Sequence, residues 1–344
     1  MHFLPLTFLY CLAILTAGVQ SVEHTPAPSK RKTEPALTNI LLQSTDGGKT
    51  WQDISQGLPE AVQPQDFFAG ASELYVRVND VLYHSKSSLK TPVWEKENVL
   101  DPQEVSIAFN RSGVITYTYD GKMHRKTLAS GAWMPIYTTF KKQTIRTIFE
   151  SADGAVFIGS DNGLYKSTDK GKNWKQVQNE GWVMDIVESE GVLIGTGQKG
   201  IMRSTDKGEH WEWVISEGGV GIDVERIQGG FAAIVYSSKS QSRKIYLSQD
   251  SGKNWKAIDD GLMPSVSTSS IKQVGHHLLL GHPEGIFLSA DMGKSWKRVY
   301  AGAPQNVFAT INFLNNGAAV ENRKVHTLYT SGNVVYAVLR DFGC

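Results

Sequence analysis

Residues 163–177 read Gly163-Leu-Tyr-Lys-Ser-Thr-Asp-Lys-Gly-Lys-Asn-Trp-Lys-Gln-Val177. Tyr165 and Ser167 fall on one face of an extended chain and Leu164 and Lys166 on the other, the period-two pattern of a strand. Asp169-Lys170-Gly171 then makes a tight turn. Gly171 tolerates the positive φ such a turn demands, and the Asp169 carboxylate can accept hydrogen bonds from the amides of its own turn. Trp174 opens the return strand with a large apolar side chain. The stretch is strand, turn, strand.

The same hairpin recurs. Ser44–Trp51, Ser204–Trp211, Ser248–Trp255 and Ser289–Trp296 all carry Ser-x-Asp-x-Gly-x-x-Trp, giving the pairs Asp46 and Trp51, Asp169 and Trp174, Asp206 and Trp211, Asp250 and Trp255, and Asp291 and Trp296. Successive tryptophans lie 123, 37, 44 and 41 residues apart. The first gap is three repeats long. Trp94 and Trp133 divide it into 43, 39 and 41. Val81–Lys86 and Lys122–Thr127 precede them as the strand precedes each hairpin, although the Asp-x-Gly of the turn is gone. Seven units of about 40 residues match the period of a four-stranded propeller blade.

The pattern resembles the Asp-box (BNR) repeat of β-propellers. That resemblance implies a structural hairpin between the two outer strands of each blade, in which Asp locks the turn and Trp packs between strands. It implies no catalytic role. The expected fold is all-β, a seven-bladed propeller of four-stranded antiparallel blades. The best-defined unit places Ile145–Phe149 innermost, then Ala155–Gly159, Gly163–Lys166 and Asn173–Val177. The first hairpin has one strand ahead of it, Asn39–Gln43, whereas the last is followed by apolar runs at Val307–Phe313, Val325–Tyr329 and Val334–Leu339. The two ends complete one another. Pairing of N- and C-terminal strands closes the ring and leaves no free sheet edge.

The chain has 344 residues, 40% hydrophobic and 20% charged, with a formal net charge of +1. Near-neutrality argues against a nucleic-acid partner, which calls for a basic stripe. Phe3–Gly18 is an apolar run of 16 residues, shorter than the roughly 20 of a membrane-spanning helix. It reads as a signal peptide over residues 1–21, despite a start with His2 and no Lys or Arg. Alternatives are a lipoprotein acylated at Cys11, which the bulky Tyr10 disfavours, and a retained anchor; any membrane association would run through this terminus. Residues 22–36 hold three prolines and Lys30-Arg31-Lys32 without apolar periodicity, and read as a disordered tether. Residues 37–344 form one domain. The expected compartment is extracytoplasmic, secreted or periplasmic. With Cys11 removed, Cys344 has no partner for a disulfide.

Three constellations bear on chemistry. The hairpin aspartates lack the oxygen series of a calcium loop. His276, His277, His282 and Glu284 include metal-ligand types, but His276 and His282 stand about 20 Å apart on an extended strand at roughly 3.3 Å per residue. No metal, cofactor or catalytic residue is expected. Asp185, Asp223 and Glu225 sit near the starts of inner strands and can converge on the channel, as two carboxylates must to cleave a glycosidic bond.

Sialidases resemble the chain in these boxes, but their arginine triad begins ahead of the first box. Here the only arginine before Ser44 is Arg31. Xyloglucan-cleaving glycosidases are similar in blade sequence but use two propellers. Single seven-bladed propellers, the photosystem II assembly factors and sortilin-type receptor domains, are similar over residues 37–344. They imply a non-catalytic scaffold that binds a protein or a glycan, with a carbohydrate-active hydrolase or lyase as the alternative. The units marked by Trp174, Trp211 and Trp255 are entered through Lys142–Arg146, Gly181–Asp185 and Gly221–Arg226. The expected binding surface is therefore Arg146, Trp182, Asp185 and Arg226, an aromatic with flanking charges.

Overall fold

The computed structural model describes residues 40–59, 64–79, 81–98, 106–110, 113–118, 122–126, 131–136, 138, 140, 144–301, 312–313, 319–320 and 323–342. The expected signal peptide, the tether, Cys344, most of the 307–313 run and residues 141–143 of the loop entering at Lys142 lie outside them. Residues 1–36 and 37–344 are two separate units, of which the second is the propeller.

Seven four-stranded antiparallel sheets make a seven-bladed β-propeller, and the described residues contain no helix. Blade 1 is Pro64–Ala69, Glu73–Val78, Val81–Lys86 and Glu95–Lys96; blade 2 is Ser106–Asn110, Gly113–Tyr117, Met123–Lys126 and Trp133–Pro135. Blade 3 is Ile145–Glu150, Val156–Ser160, Gly163–Ser167 and Lys175–Gln178; blade 4 is Val183–Ser189, Val192–Gly197, Gly200–Ser204 and Glu212–Ile215. Blade 5 is Gly221–Ile227, Gly230–Ser237, Ser242–Ser248 and Lys256–Ala257; blade 6 is Ser270–Val274, His277–His282, Gly285–Ser289 and Lys297–Ala301. Each runs from the inside outward in chain order, and the first strands of neighbouring blades touch around the ring.

Blade 7 closes the ring. Its inner strands are Arg323–Ser331 and Val334–Phe342, and its outer strands are Leu41–Ser44 and Gln52–Asp53 from the other end of the chain. Leu41 pairs with Val338 and Ser44 with Val335, so the seam is an ordinary antiparallel ladder. Asn312–Phe313 pairs with Ala319–Val320 in a separate two-stranded sheet and enters no blade.

The repeated turn has one hydrogen-bond scheme, except that in blade 6 Trp296 Nε1 donates to Ile258 O at 2.7 Å. In blade 3, Ser167 Oγ donates to Asp169 Oδ1 at 2.9 Å, and Gly171 N donates to Ser167 Oγ at 2.8 Å. Asn173 donates to both carboxylate oxygens, from its amide at 2.8 Å and its side chain at 2.7 Å. Trp174 Nε1 donates to Gly171 O at 3.1 Å, while the strand itself begins one residue later, at Lys175. These bonds to the ionised form hold Asp46, Asp169, Asp250 and Asp291 at a pKa of about 2. Core packing lies between blades: Ile194, Ile201, Phe231, Ala233 and Val235, for example, are buried together between blades 4 and 5. Trp94 and Trp133, whose turns have lost the motif, are buried more deeply than the hairpin tryptophans, and Trp94 Nε1 donates to Ile54 O at 2.9 Å.

Candidate functional site

Near the start of its innermost strand, each of blades 1, 3, 4 and 5 has a break in register, between 64 and 66, 145 and 147, 183 and 185, and 221 and 223. A bulge re-aims the side chain that follows it. The residues that follow are Asp66, Thr147, Asp185 and Asp223, at one height in the ring. Two of the aspartates strap their blade to the next. Asp66 Oδ2 accepts from Ile107 N at 3.1 Å, and Asp223 Oδ2 accepts from Ile271 N at 2.8 Å. Ser270 continues the belt: its Oγ accepts from Leu328 N at 2.7 Å.

Lys272 of blade 6 reaches this level. Its Nζ lies 3.3 Å from Asp223 Oδ1 and 3.0 Å from Glu225 Oε2. Burial opposes its charge, but the attraction of Asp223, Glu225 and Asp185 outweighs that and keeps it above the ordinary lysine value. Burial likewise raises Glu225, against the pull of Lys272. Asp185 differs from its counterparts. Its one hydrogen bond among the described residues comes from Ile186 N at 2.8 Å. Burial, and then repulsion from Asp223, push its carboxyl up to about 7. Across the ring, Arg340 lies 3.8 Å from Asp66 and donates to the hydroxyl of Tyr329, which burial raises to about 12.

The expected binding residues divide between places. Arg146 lies 5.5 Å from the centre of the Trp182 ring and pairs with Asp161, so these two do come together at the mouth where chains enter the inner strands. Asp185 lies one level deeper, in the acidic ring. Arg226 is exposed near the opposite end of its strand, roughly 20 Å along the axis from Trp182 at about 3.3 Å per residue. There it lines a separate cavity of about 400 Å³ with Phe149 and Glu188.

Asp185, Asp223 and Glu225 converge as their positions suggested. Lys272, Asp66, Arg340 and Tyr329 were not visible as members. A lysine alternating with Ile271 in a blade's first strand was the available signal for Lys272. His282 is buried with both nitrogens used: Nδ1 accepts from Glu284 N at 3.2 Å, so Nε2 donates to Met263 O at 3.0 Å. Among the described residues no group of three His, Cys, Asp or Glu side chains is placed to hold a metal ion.

No family model matches the chain, and no curated protein matches it. Solved structures do. The extracellular domain of BT4673 from B. thetaiotaomicron is 13% identical over 71% of this chain, with a TM-score of 0.55; the chain spans only 35% of its length. A catalytically inactive virginiamycin B lyase from Staphylococcus aureus with quinupristin is 11% identical, with 81% of this chain and 95% of that one covered and a TM-score of 0.59. An ancestral GH74 enzyme is 13% identical, with 86% and 45% covered and a TM-score of 0.58. At such identities the likeness establishes the seven-bladed fold, and function has to be argued from the site.

Proposed function

We propose that the chain is an extracytoplasmic binding propeller that holds a protein or glycan partner at the Trp182 mouth and carries out no chemistry. The observation that carries this is the hold of Lys272 on the acidic ring. Glycoside cleavage needs two carboxyl groups about 5–9 Å apart, one to donate a proton and one to attack or activate water. Asp223 is bonded to Lys272 and to Ile271 N, and Glu225 to the same lysine. That leaves Asp185 alone. At the mouth, Trp182 offers a ring that can stack on a sugar or an apolar side chain, and Arg146 offers a cation to orient it. The extracytoplasmic placement rests on the Phe3–Gly18 run, and the reading of the repeated hairpins as Asp boxes fits a scaffold role.

The test is capture by the double variant Trp182→Ala, Arg146→Ala. On a glycan array and in pull-downs from the native envelope, the folded wild type should retain a partner and the double variant should lose it. Unchanged capture by the double variant would move the binding surface to the Arg226 face. The alternative, a carbohydrate-active enzyme, rests on the near-neutral Asp185 carboxyl. Cleavage of a polysaccharide that disappears in Asp185→Asn would overturn the non-catalytic reading.

A further inference from the structure

The seam between blades 2 and 3 is built differently from the four other seams that a hairpin glycine faces. A side chain added at the turn glycine of the other four hairpins would collide with the preceding blade: Gly208 with Phe157 at 2.5 Å, Gly252 with Ile194 at 2.5 Å, Gly293 with Ile258 at 2.6 Å and Gly48 with Leu279 at 2.6 Å. Among the described residues Gly171 has no such neighbour. Beyond its own Trp174, the nearest atom of the described residues is Thr138 Oγ1 at 3.9 Å. In place of a plug there is a cavity of about 550 Å³. Its walls are Ile115, Met123, Ile148, Val156, Ile158 and Trp174.

Of the three blades that place a cation over the following seam, blade 2 differs. Lys166, Arg203 and Arg125 occupy the same place in blades 3, 4 and 2, one residue before the end of the third strand and opposite the residue after the tryptophan. Lys166 is buried and bonds Glu209 of the next hairpin at 2.6 Å; Arg203 is buried and donates to Ser251 O at 2.8 Å. Arg125 is exposed at the cavity, and among the described residues its guanidinium has no hydrogen bond or ion pair. Lys170, also exposed, lines the same cavity, and its ammonium has no partner among the described residues. Glu150, an acidic residue of the lining, has an interaction of its own.

We infer that this seam is a binding site for a small amphipathic anion, an aliphatic or aromatic body with one carboxylate. The volume falls within the roughly 300–1,000 Å³ of small-molecule sites, which are mostly apolar with a few placed polar groups. The body lies against the isoleucines and Trp174, and the carboxylate meets Arg125 and Lys170. The site is separate from the Trp182 mouth and stands or falls independently of it.

Decanoate, decanol and decyltrimethylammonium, each below its micelle-forming concentration, test the inference by calorimetry and by tryptophan fluorescence. Decanoate should bind the wild type saturably at one site and perturb the emission, with the ammonium compound at least about tenfold weaker, the loss of one good charge contact. Arg125→Ala, Lys170→Ala, both at exposed positions, should weaken decanoate by a similar factor and leave decanol unchanged. Val156→Trp, which fills the cavity, should abolish binding of both. No saturable decanoate binding, equal binding of the ammonium compound, or unchanged affinity in the exposed double variant would each overturn the assignment. The last variant keeps the test decisive if Val156→Trp fails to fold.

Discussion

The propeller carries two rings of carboxylates with opposite electrostatics. The outer ring is the hairpin aspartates, exposed and wrapped by amide and hydroxyl donors, with Asp46, Asp169, Asp250 and Asp291 at a pKa of about 2. The inner ring is Asp66, Asp185, Asp223 and Glu225, enclosed by the blades; Asp66, Asp185 and Glu225 are all raised, Asp185 to about 7. Both rings are carboxylates, but burial decides the sign inside and the donors of the turn decide it outside: Asp66 stays raised although it accepts from Phe67 N and Ile107 N and faces Arg340. Asp169 receives bonds from Ser167 and twice from Asn173, whereas Asp185 receives one, from Ile186. A carboxylate in a turn brings its own donors; one facing a channel depends on what other blades supply.

The largest effect tests whether the inner ring depends on its cation. Lys272→Met strands Asp223 and Glu225 without a counter-charge, and should cost about 3–5 kcal/mol in urea unfolding at pH 7. A loss below about 1 kcal/mol would show that water already compensates these carboxylates and that the two rings differ little.

Asp185→Asn should act in the opposite direction and stabilise the protein. The folded pKa of Asp185 is raised above its unfolded value of 3.8, so the folded state binds more protons between those values and the wild type loses stability as pH rises through them. The advantage of the variant is therefore absent below pH 4, grows toward pH 7 and levels off above it. Its size at pH 8 should be about 1–2 kcal/mol, reduced for the water that reaches the channel. A pH-independent difference would sink the assignment.

His326 bears on the acid side of the same profile. It is buried in blade 7, packed edge-on against Tyr300, and burial lowers its pKa to about 4. The unfolded chain takes up a proton that the folded one refuses, so stability falls as pH drops from about 6.5 to 4. His326→Phe should flatten that interval by about 1–2 kcal/mol. An unchanged slope would mean that the imidazole is charged in the fold.

The smallest effect belongs to a single outer-ring turn. Asp169→Asn keeps the shape and weakens the charge-assisted bonds, lowering Tm by a few degrees at pH 7. Because the folded pKa is depressed, the contribution is present above the unfolded value of 3.8 and fades as pH falls toward 2. Wild type and variant should converge there. A gap that persists at pH 2 would assign the loss to packing.

The sequence by itself determined the outer ring and the blade count. The bonds of each hairpin join residues two to four positions apart, so the chemistry that makes the turn is written in one short string and repeats with the blade. Complementary chain ends fixed the closure for the same reason, since each lacks the strands the other holds. Tertiary structure decided the rest. Asp185, Asp223 and Lys272 are 38 and 49 residues apart and share no local pattern; they meet because bulged inner strands bring them to one height. Trp182 and Arg226 look alike as loop-end residues, yet strand direction sends them to opposite faces. The seam at Gly171 is hidden for the same reason. Arg125, Lys166 and Arg203 hold equivalent positions in their strands, and only the packing of one blade on the next leaves one exposed and buries the other two. Local hydrogen bonds are set by neighbours in the chain, whereas burial and charge pairing are set by neighbours around the ring.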